Sequence, residues 1–409
     1  MSWVLNPLLE LYWVDMSHPK LRFKEYKNSW TQHSIGRMGE VITGSTPDTS
    51  KAEFYENGTY PFVSPGDIND ARYINGTKKL VTNLGAQKGR LIKANSILFV
   101  SIGSTIGKVA QNKVDCLTNQ QINTLTTNKY FDPFFVYSAL EKQASKIRLL
   151  AGTHAVPIIN KTSFSKVKLY APEIEEQNKI GAFLALIDEK IAILINEIEC
   201  LKKYKKGVMQ KIFSQEIRFK NLNGKNFPAW SYVAAGEIFK SVSNRNHNSE
   251  LPILSATQEK GMIPRSENGI DIISSEKSIS SYKVINKGDF VISLRSFQGG
   301  IEYSEYEGIS SPAYTVFKPA RNIDDDFFRF YFKKDSFISE LNGTVVGIRD
   351  GKQITYSAFS TLKLPYPCIE EQKVISTFLT AVSMKIELAK KSLELLKKYK
   401  HGLLQDMFI

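Results

Sequence analysis

The sequence predicts an α+β protein in which two globular mixed α/β domains are separated by two long helices that pair as an antiparallel coiled coil, as a pseudo-two-fold internal repeat. Three observations predict this. Ile174-Glu175-Glu176-Gln177 recurs as Ile369-Glu370-Glu371-Gln372, and Leu201-Lys202-Lys203-Tyr204-Lys205 recurs as Leu396-Lys397-Lys398-Tyr399-Lys400. Both pairs are offset by 195 residues (369 − 174 and 396 − 201), so no insertion separates the copies. Within each copy the apolar residues step alternately by four and three. The first seam reads Ile180, Leu184, Ile187, Ile191, Leu194, Ile198, Leu201; the second reads Ile375, Leu379, Val382, Ile386, Ala389, Leu393, Leu396. That alternation is a heptad seam, and sustained over this length it indicates a two-stranded coiled coil. Ahead of each helix lie short β-rich runs, at residues 96–101 and 289–293, punctuated by Gly, Asn, Pro and Ser.

In chain order, residues 1–19 form an apolar leader that carries Glu10 and Asp15, lacks a basic start and is too short to span a bilayer. It reads as an accessory helix or as an over-extended start with Met16 as the natural one. Lys20-Leu21-Arg22-Phe23-Lys24 with Trp30 opens a first domain at 20–170, and Glu216-Ile217-Arg218-Phe219-Lys220 with Trp230 opens a second at 216–365. In the first, Asp132-Pro133-Phe134-Phe135 starts a helical pattern that stops at Gly152; in the second, Asp324-Asp325-Asp326 starts one that stops at Gly343. Aspartate before the first turn, proline within it and glycine after the last are helix punctuation. Phe164 and Lys168-Leu169 recur as Phe359 and Lys363-Leu364 and lead into spacer helices expected at 171–215 and 366–409. A helix from Gln177 to Phe213 is about 55 Å long at about 1.5 Å per residue. Antiparallel pairing would hold the domains apart by roughly one and a half turns of duplex, at about 34 Å per turn. Each seam is interrupted at the same place by a lysine, Lys205 or Lys400, which costs stability but fixes register. Gly207 and Gly402 are also equivalent, each marking either a kink or close helix approach, or simply the helix end.

Composition bounds the function. Hydrophobic content of 42% with 23% charged residues is that of a globular chain, not a disordered one. The net charge of +13, from 54 Lys+Arg against 41 Asp+Glu, points to a polyanionic partner, nucleic acid first, and otherwise to a basic surface with no ligand. Cys116, Cys200 and Cys368 form neither a CxxC pair nor an even framework, which argues against a disulfide scaffold or zinc site and fits a reducing cytoplasm. His18, His33, His154, His247 and His401 are scattered, so no metal site is expected.

Catalytic motifs are approached but not completed. Gly103-Ser104-Thr105-Ile106-Gly107-Lys108 is one residue short of a phosphate loop, and Val109 stands where Mg²⁺ binding needs Ser or Thr. Asp132-Pro133-Phe134 lacks the second proline of an amino-methyltransferase motif. No Ser-His-Asp set or nuclease-like cluster follows a strand, which favours binding over catalysis. Side chains suited to double-stranded DNA remain. Lys51, Lys78, Lys79, Lys88, Arg90 and Lys108 sit among loop signals of the first domain with Ser64, Asn119, Gln120 and Gln121. Arg245, Asn246, Lys260, Arg265, Arg295, Gln298, Arg349 and Lys352 take that place in the second. Arg and Lys neutralise phosphates or reach guanine, and Asn and Gln pair bidentately with adenine.

These landmarks resemble the DNA specificity subunit of Type I restriction–modification systems over about residues 20–409. The carriers are residues 19–30, Gly44-Ser45-Thr46-Pro47, Ser104 to Lys108 with Thr118-Asn119-Gln120-Gln121, and the two Ile-Glu-Glu-Gln starts with their Leu-Lys-Lys-Tyr-Lys continuations. The second domain departs at the Gly44 and Ser104 motifs, with Ser293-Leu294-Arg295-Ser296-Phe297 replacing the latter. The resemblance implies two target recognition domains, each reading half of a bipartite DNA sequence, and helices that act as a ruler and as a dock. It implies two methyltransferase subunits and two restriction subunits as partners, with S-adenosylmethionine, ATP and Mg²⁺ belonging to them, no cofactor in this chain and no membrane. The competing expectations are a self-contained DNA methyltransferase or nuclease, and a coiled-coil protein adaptor.

Overall fold

The structure is a computed structural model that describes residues 18–69, 71–152, 156–247, 250–268, 279–294, 296–344 and 354–409. The leader up to position 17 and His154 lie outside the described residues. The chain divides into two compact units, one built from Met1–Ile198 with Ala389–Ile409 and the other from Glu199–Leu388. Two long helices, the central Ile174–Phe213 and the C-terminal Ile369–Met407, contribute to both units.

In the first unit, Thr31–Ser34 pairs antiparallel with Lys168–Ala171, which fastens the start of the globular part to its end. Between them an antiparallel four-stranded sheet runs in the order Gly39–Thr43, Ile122–Thr127, Ile97–Val100, Val109–Gln111. All four residues of Ile97–Val100 are buried, which is why that strand reads as an unbroken apolar run. A smaller sheet joins Lys79–Val81, Tyr60–Val63 and Leu117–Thr118. The helix Pro133–Arg148 starts as its punctuation requires, with the Asp132 side chain accepting from the Phe135 backbone N–H at 2.7 Å. A 3₁₀ turn, Leu149–Ala151, follows and ends at Gly152, whose φ of 68° suits glycine. The main core gathers Trp30, Phe135 and Phe164 with Ile180 and Leu184 of the central helix and Leu403, Met407 and Phe408 from the end of the chain. Asp188 Oδ1 and Lys400 Nζ meet at 2.6 Å. Early residues of one helix thus pack on late residues of the other, so the two run antiparallel in this unit.

The second unit repeats the frame. Ser231–Ala234 pairs with Lys363–Tyr366, and the sheet order is Phe239–Val242, Thr315–Pro319, Phe290–Ile292, Glu302–Tyr303. Its core is rich in phenylalanine and takes in Met209, Ile212 and Phe213 from the end of the central helix with Ile375 and Leu379 from the start of the C-terminal one. The single helix expected from Asp324 to Gly343 is instead two, Asp325–Tyr331 and Asp335–Gly343. Phe332 and Phe337 explain the break. On one continuous helix, residues five apart would point about 140° away from each other. Their rings sit 5.0 Å apart in one core.

The seam positions Ile180, Leu184, Ile191, Ile198, Ile375, Leu379, Ile386 and Ala389 are buried, and Ile187, Leu194, Leu201, Val382, Leu393 and Leu396 are partly buried. Two expectations need correction. Neither helix ends at Gly207 or Gly402, and a Cβ at either would meet nothing within 4 Å, so neither glycine marks a close approach. Burial of Ile212 and Met407 beyond them outweighs the roughly 1 kcal/mol that an interior glycine costs. The two seam lysines are equivalent in sequence but not in surroundings. Lys400 is buried between Glu141 and Asp188, whereas the partly buried Lys205 lies over the Phe330 ring at 5.0 Å.

Candidate nucleic-acid interface

The duplicated motifs build the frame that holds the loops. Arg22 donates to both carboxylate oxygens of Glu176, at 2.7 and 2.8 Å, and Arg218 does the same to Glu371, at 3.1 and 2.7 Å. Gln177 Oε1 accepts from the Asp132 backbone N–H at 3.0 Å while its amide donates to Pro172 O at 2.8 Å. Gln372 makes the same pair with Asp324 N and Pro367 O. The third and fourth residues of each Ile-Glu-Glu-Gln start thus pin the opening segment and the capped helix start to a long helix. Glu176, Gln177, Glu371 and Gln372 are all buried. A buried carboxylate needs this bidentate guanidinium to offset its lost hydration.

On the first unit's frame, the Gly44-Ser45-Thr46-Pro47 turn lies against residues 118–122. Gly44 N donates to Ile122 O at 3.0 Å, and a Cβ at Gly44 would fall 2.1 Å from the Asn119 carbonyl oxygen, so only glycine fits there. Thr46 Oγ1 donates to Gln120 Oε1 at 2.7 Å. Arg90 closes the other side, its backbone N–H on Ser45 Oγ at 2.8 Å and its guanidinium on Thr43 O at 2.7 Å. Asn119 turns inward, its amide donating to Gln121 Oε1 and its Oδ1 accepting from Gln121 N. Ser101 N donates to Gln121 O at 2.7 Å, which brings the Gly103–Lys108 loop alongside. Lys108 donates to Ile68 O at 3.0 Å. Arg90, Lys108, Asn119 and Gln120 are therefore gathered into one connected loop surface, and three of them spend donors on holding it. Lys88 ends the helix Asn83–Lys88, next to Gly89, whose Cβ would abut Ser45 and Leu117. Lys51, 5.4 Å from the Phe54 ring centre, and Lys78 and Lys79 around the smaller sheet are exposed. Nothing bonds these three to the turn.

In the second unit, Arg245 is exposed beside Lys283, whose ammonium burial pushes down in pKa and Arg245 pushes down further. Lys283 donates to Tyr314 O at 2.7 Å. Arg265 lies 5.9 Å from the Tyr282 ring. Lys260 is exposed in the turn of the Leu254–Thr257 and Gly261–Pro264 hairpin. Gln298 is exposed on the short helix Ser296–Gly299, whose last glycine abuts the Gln258 side chain. Arg295, Arg349 and Lys352 lie outside the described residues. Lys283 escaped the sequence reading because it opens a strand rather than a loop.

A buried polar network in the first unit was also missed. Arg72 donates to Gln111 Oε1 at 2.9 Å, to Asp188 Oδ2 at 3.1 Å and to Phe134 O at 3.2 Å, with its guanidinium 4.4 Å from the Tyr137 ring centre. Lys400 then bridges Asp188 and Glu141. Burial holds the Tyr137 phenol well above its ordinary pKa. This network ties the loop domain to both long helices within the unit. Among the described residues, no group of His, Cys, Asp and Glu could hold a metal ion, and no helix is long and apolar enough to cross a membrane.

Comparison with known proteins gives one consistent result. The family described as Type I restriction modification DNA specificity domain matches residues 27–203 and again 229–398. The chain is 25% identical over 408 residues to the Type I restriction enzyme MjaVIII specificity subunit of Methanocaldococcus jannaschii, covering 91% of this chain and 90% of that protein. It is 28% identical over 423 residues to the putative MjaX specificity subunit of the same organism, covering 96% of each. Among solved structures, the fold is similar to that of the Type I restriction–modification S subunit from M. genitalium, with a TM-score of 0.63 at 19% identity over 96% of this chain and 99% of that one.

Proposed function

Because the chain belongs to the Type I restriction modification DNA specificity family, we propose that it is the non-catalytic subunit that reads a bipartite double-stranded DNA sequence and brings partner subunits to it. The observation that carries this reading is the contrast between frame and loops. Arg22–Glu176 and Arg218–Glu371 hold two equivalent frames, yet the Gly44 turn with Arg90 and Gln120 has no counterpart among the described residues around Arg245, Lys283 and Gln258. Equal frames with unlike loops suit two different half-sites, and the excess positive charge suits phosphate neutralisation.

The long helices also support a docking role. Leu186 and Ile193 on the central helix, and Leu388 and Leu395 on the C-terminal one, are spaced by seven and 57–65% exposed. An apolar stripe at helical spacing accepts a partner's helices. On this reading two methyltransferase subunits and, through them, two restriction subunits assemble here in the cytoplasm. S-adenosylmethionine, ATP and Mg²⁺ act on those subunits.

Mapping methylated bases in DNA from cells that carry the system tests the proposal. The expected outcome is a single motif of two short half-sites with a fixed unread gap, and a continuous motif would overturn it. The isolated chain incubated with DNA and labelled S-adenosylmethionine should transfer no methyl group. Transfer would make it an enzyme in its own right. Assembly with DNA affinity indifferent to salt would favour a protein adaptor.

A further inference from the structure

A second group of cations lies in the first unit, beyond the loops already described. Gly103 N donates to Pro157 O at 3.1 Å and Ile159 N donates to Ser101 O at 2.8 Å, so residues 157–160 run along the Gly103–Lys108 loop. From there the chain enters the short helix Lys161–Lys166 and the strand Lys168–Ala171. On the other side of that loop, a Cβ at Gly107 would sit 3.4 Å from Ala144 O, against the last turns of Pro133–Arg148. Two adjoining surface cavities of about 600 and 530 Å³ open here and share Lys166 and Lys168. One adds Lys161, Thr162 and Ser34; the other adds Lys146 and Gln143.

The chemistry of this groove is one-sided. Lys146, Lys161, Lys166 and Lys168 are all exposed, and none pairs with a carboxylate among the described residues. The field extends to Lys142, whose ammonium is pushed down in pKa by burial and further by Lys146 and Lys20, against a weaker opposing push from Asp406. Four exposed ammonium groups that line adjoining cavities without a paired carboxylate favour a polyanion, which gains by releasing its counter-ions on binding such a surface. Lysine with hydroxyl side chains is the donor set of phosphate contacts, which position a duplex without reading its bases. The groove also adjoins the loop that carries Lys108. We propose that it is a sequence-independent anchor for DNA backbone phosphates flanking the half-site read by the first unit. This rests on the DNA-recognition reading above.

The equivalent described positions of the second unit do not repeat this set. At the 195-residue offset, Lys161, Lys166 and Lys168 correspond to Tyr356, Thr361 and Lys363, and where Ser34 faces Lys168 across the strand pair, Ala234 faces Lys363. The grip on DNA is accordingly stronger on one flank.

The test replaces Lys146, Lys161, Lys166 and Lys168 together with alanine in the chain assembled with its partners, and measures affinity against salt on cognate and scrambled duplexes. Affinity should fall at least tenfold and by the same factor on both. The slope of log affinity against log salt should become shallower by about 0.9 for each phosphate that is no longer neutralised. Backbone protection should vanish on one flank, the methylated sequence should stay unchanged, and the fourfold arginine variant should keep wild-type affinity. Unchanged affinity and slope with recognition intact would overturn the anchor and leave the recognition reading standing. A changed base preference, or failed assembly with partners at undiminished DNA affinity, would also overturn it, the latter assigning the groove to an acidic protein face. If the unsubstituted complex binds no DNA, both readings fall.

Discussion

Arg72 links several elements of the first unit. Its side chain is buried and contacts a sheet residue, a helix carbonyl, three aromatic faces and Asp188 of the central helix. Removing one partner of a buried ion pair leaves the other charge uncompensated and typically costs about 3–5 kcal/mol. Arg72→Ala should lower the first unit's unfolding free energy by that order in urea titration; a loss under about 1 kcal/mol would mean that Lys400 alone satisfies Asp188. The cysteines give a second residue-scale expectation. Burial pushes the Cys116 thiol up to about 12, against a weaker opposing hydrogen bond from Asn112. Because the folded value is raised above the ordinary 9.0, ionisation is disfavoured in the native state, and the stability this contributes is full below about pH 9 and lost progressively as pH rises from there to about 12. Cys116 should therefore stay unlabelled by iodoacetamide at pH 8 until the chain unfolds, while the exposed Cys200 reacts in the native protein. Mass spectrometry of the labelled peptides checks both.

At the scale of elements, the Gly44 turn decides how the first reading surface is presented. Its close approach to Asn119 and Thr118 leaves no room for a side chain. Gly44→Val should shift the turn from Gln120 and Arg90, at about 1–3 kcal/mol of overpacking. Discrimination between cognate and altered first half-sites should collapse, with discrimination at the second retained. Binding assays on duplexes altered in one half at a time would show this, and equal loss at both halves would mean a folding defect. The helix starts illustrate the opposite case. Asp132 and Asp324 were legible as caps from the sequence because capping is local chemistry, a side chain accepting from a backbone N–H three residues on. The break between Asp325–Tyr331 and Asp335–Gly343 was not legible, because it depends on two phenylalanines finding the same core.

At the scale of the whole molecule, the spacer helices are expected to set the unread gap. Inserting seven residues near Lys203 keeps the heptad phase and lengthens the central helix by about 10 Å at about 1.5 Å per residue, roughly three base pairs of duplex. The methylated motif should keep both half-sites and widen its gap; an unchanged gap would remove the helix as the ruler. By itself the sequence determined the duplication, the heptad seams, the capped helices and the basic character, since each is a matter of spacing or composition along one strand of chain. Tertiary structure alone decided that the Ile-Glu-Glu-Gln residues bind arginines about 150 residues away. It also decided that Lys400 is buried while Lys205 is only partly so, and which lysines share one groove. Periodicity constrains neighbours on one element, whereas the environment of a charged side chain is set by whatever distant segments fold against it, and Lys205 and Lys400 each close the same Leu-Lys-Lys-Tyr-Lys run.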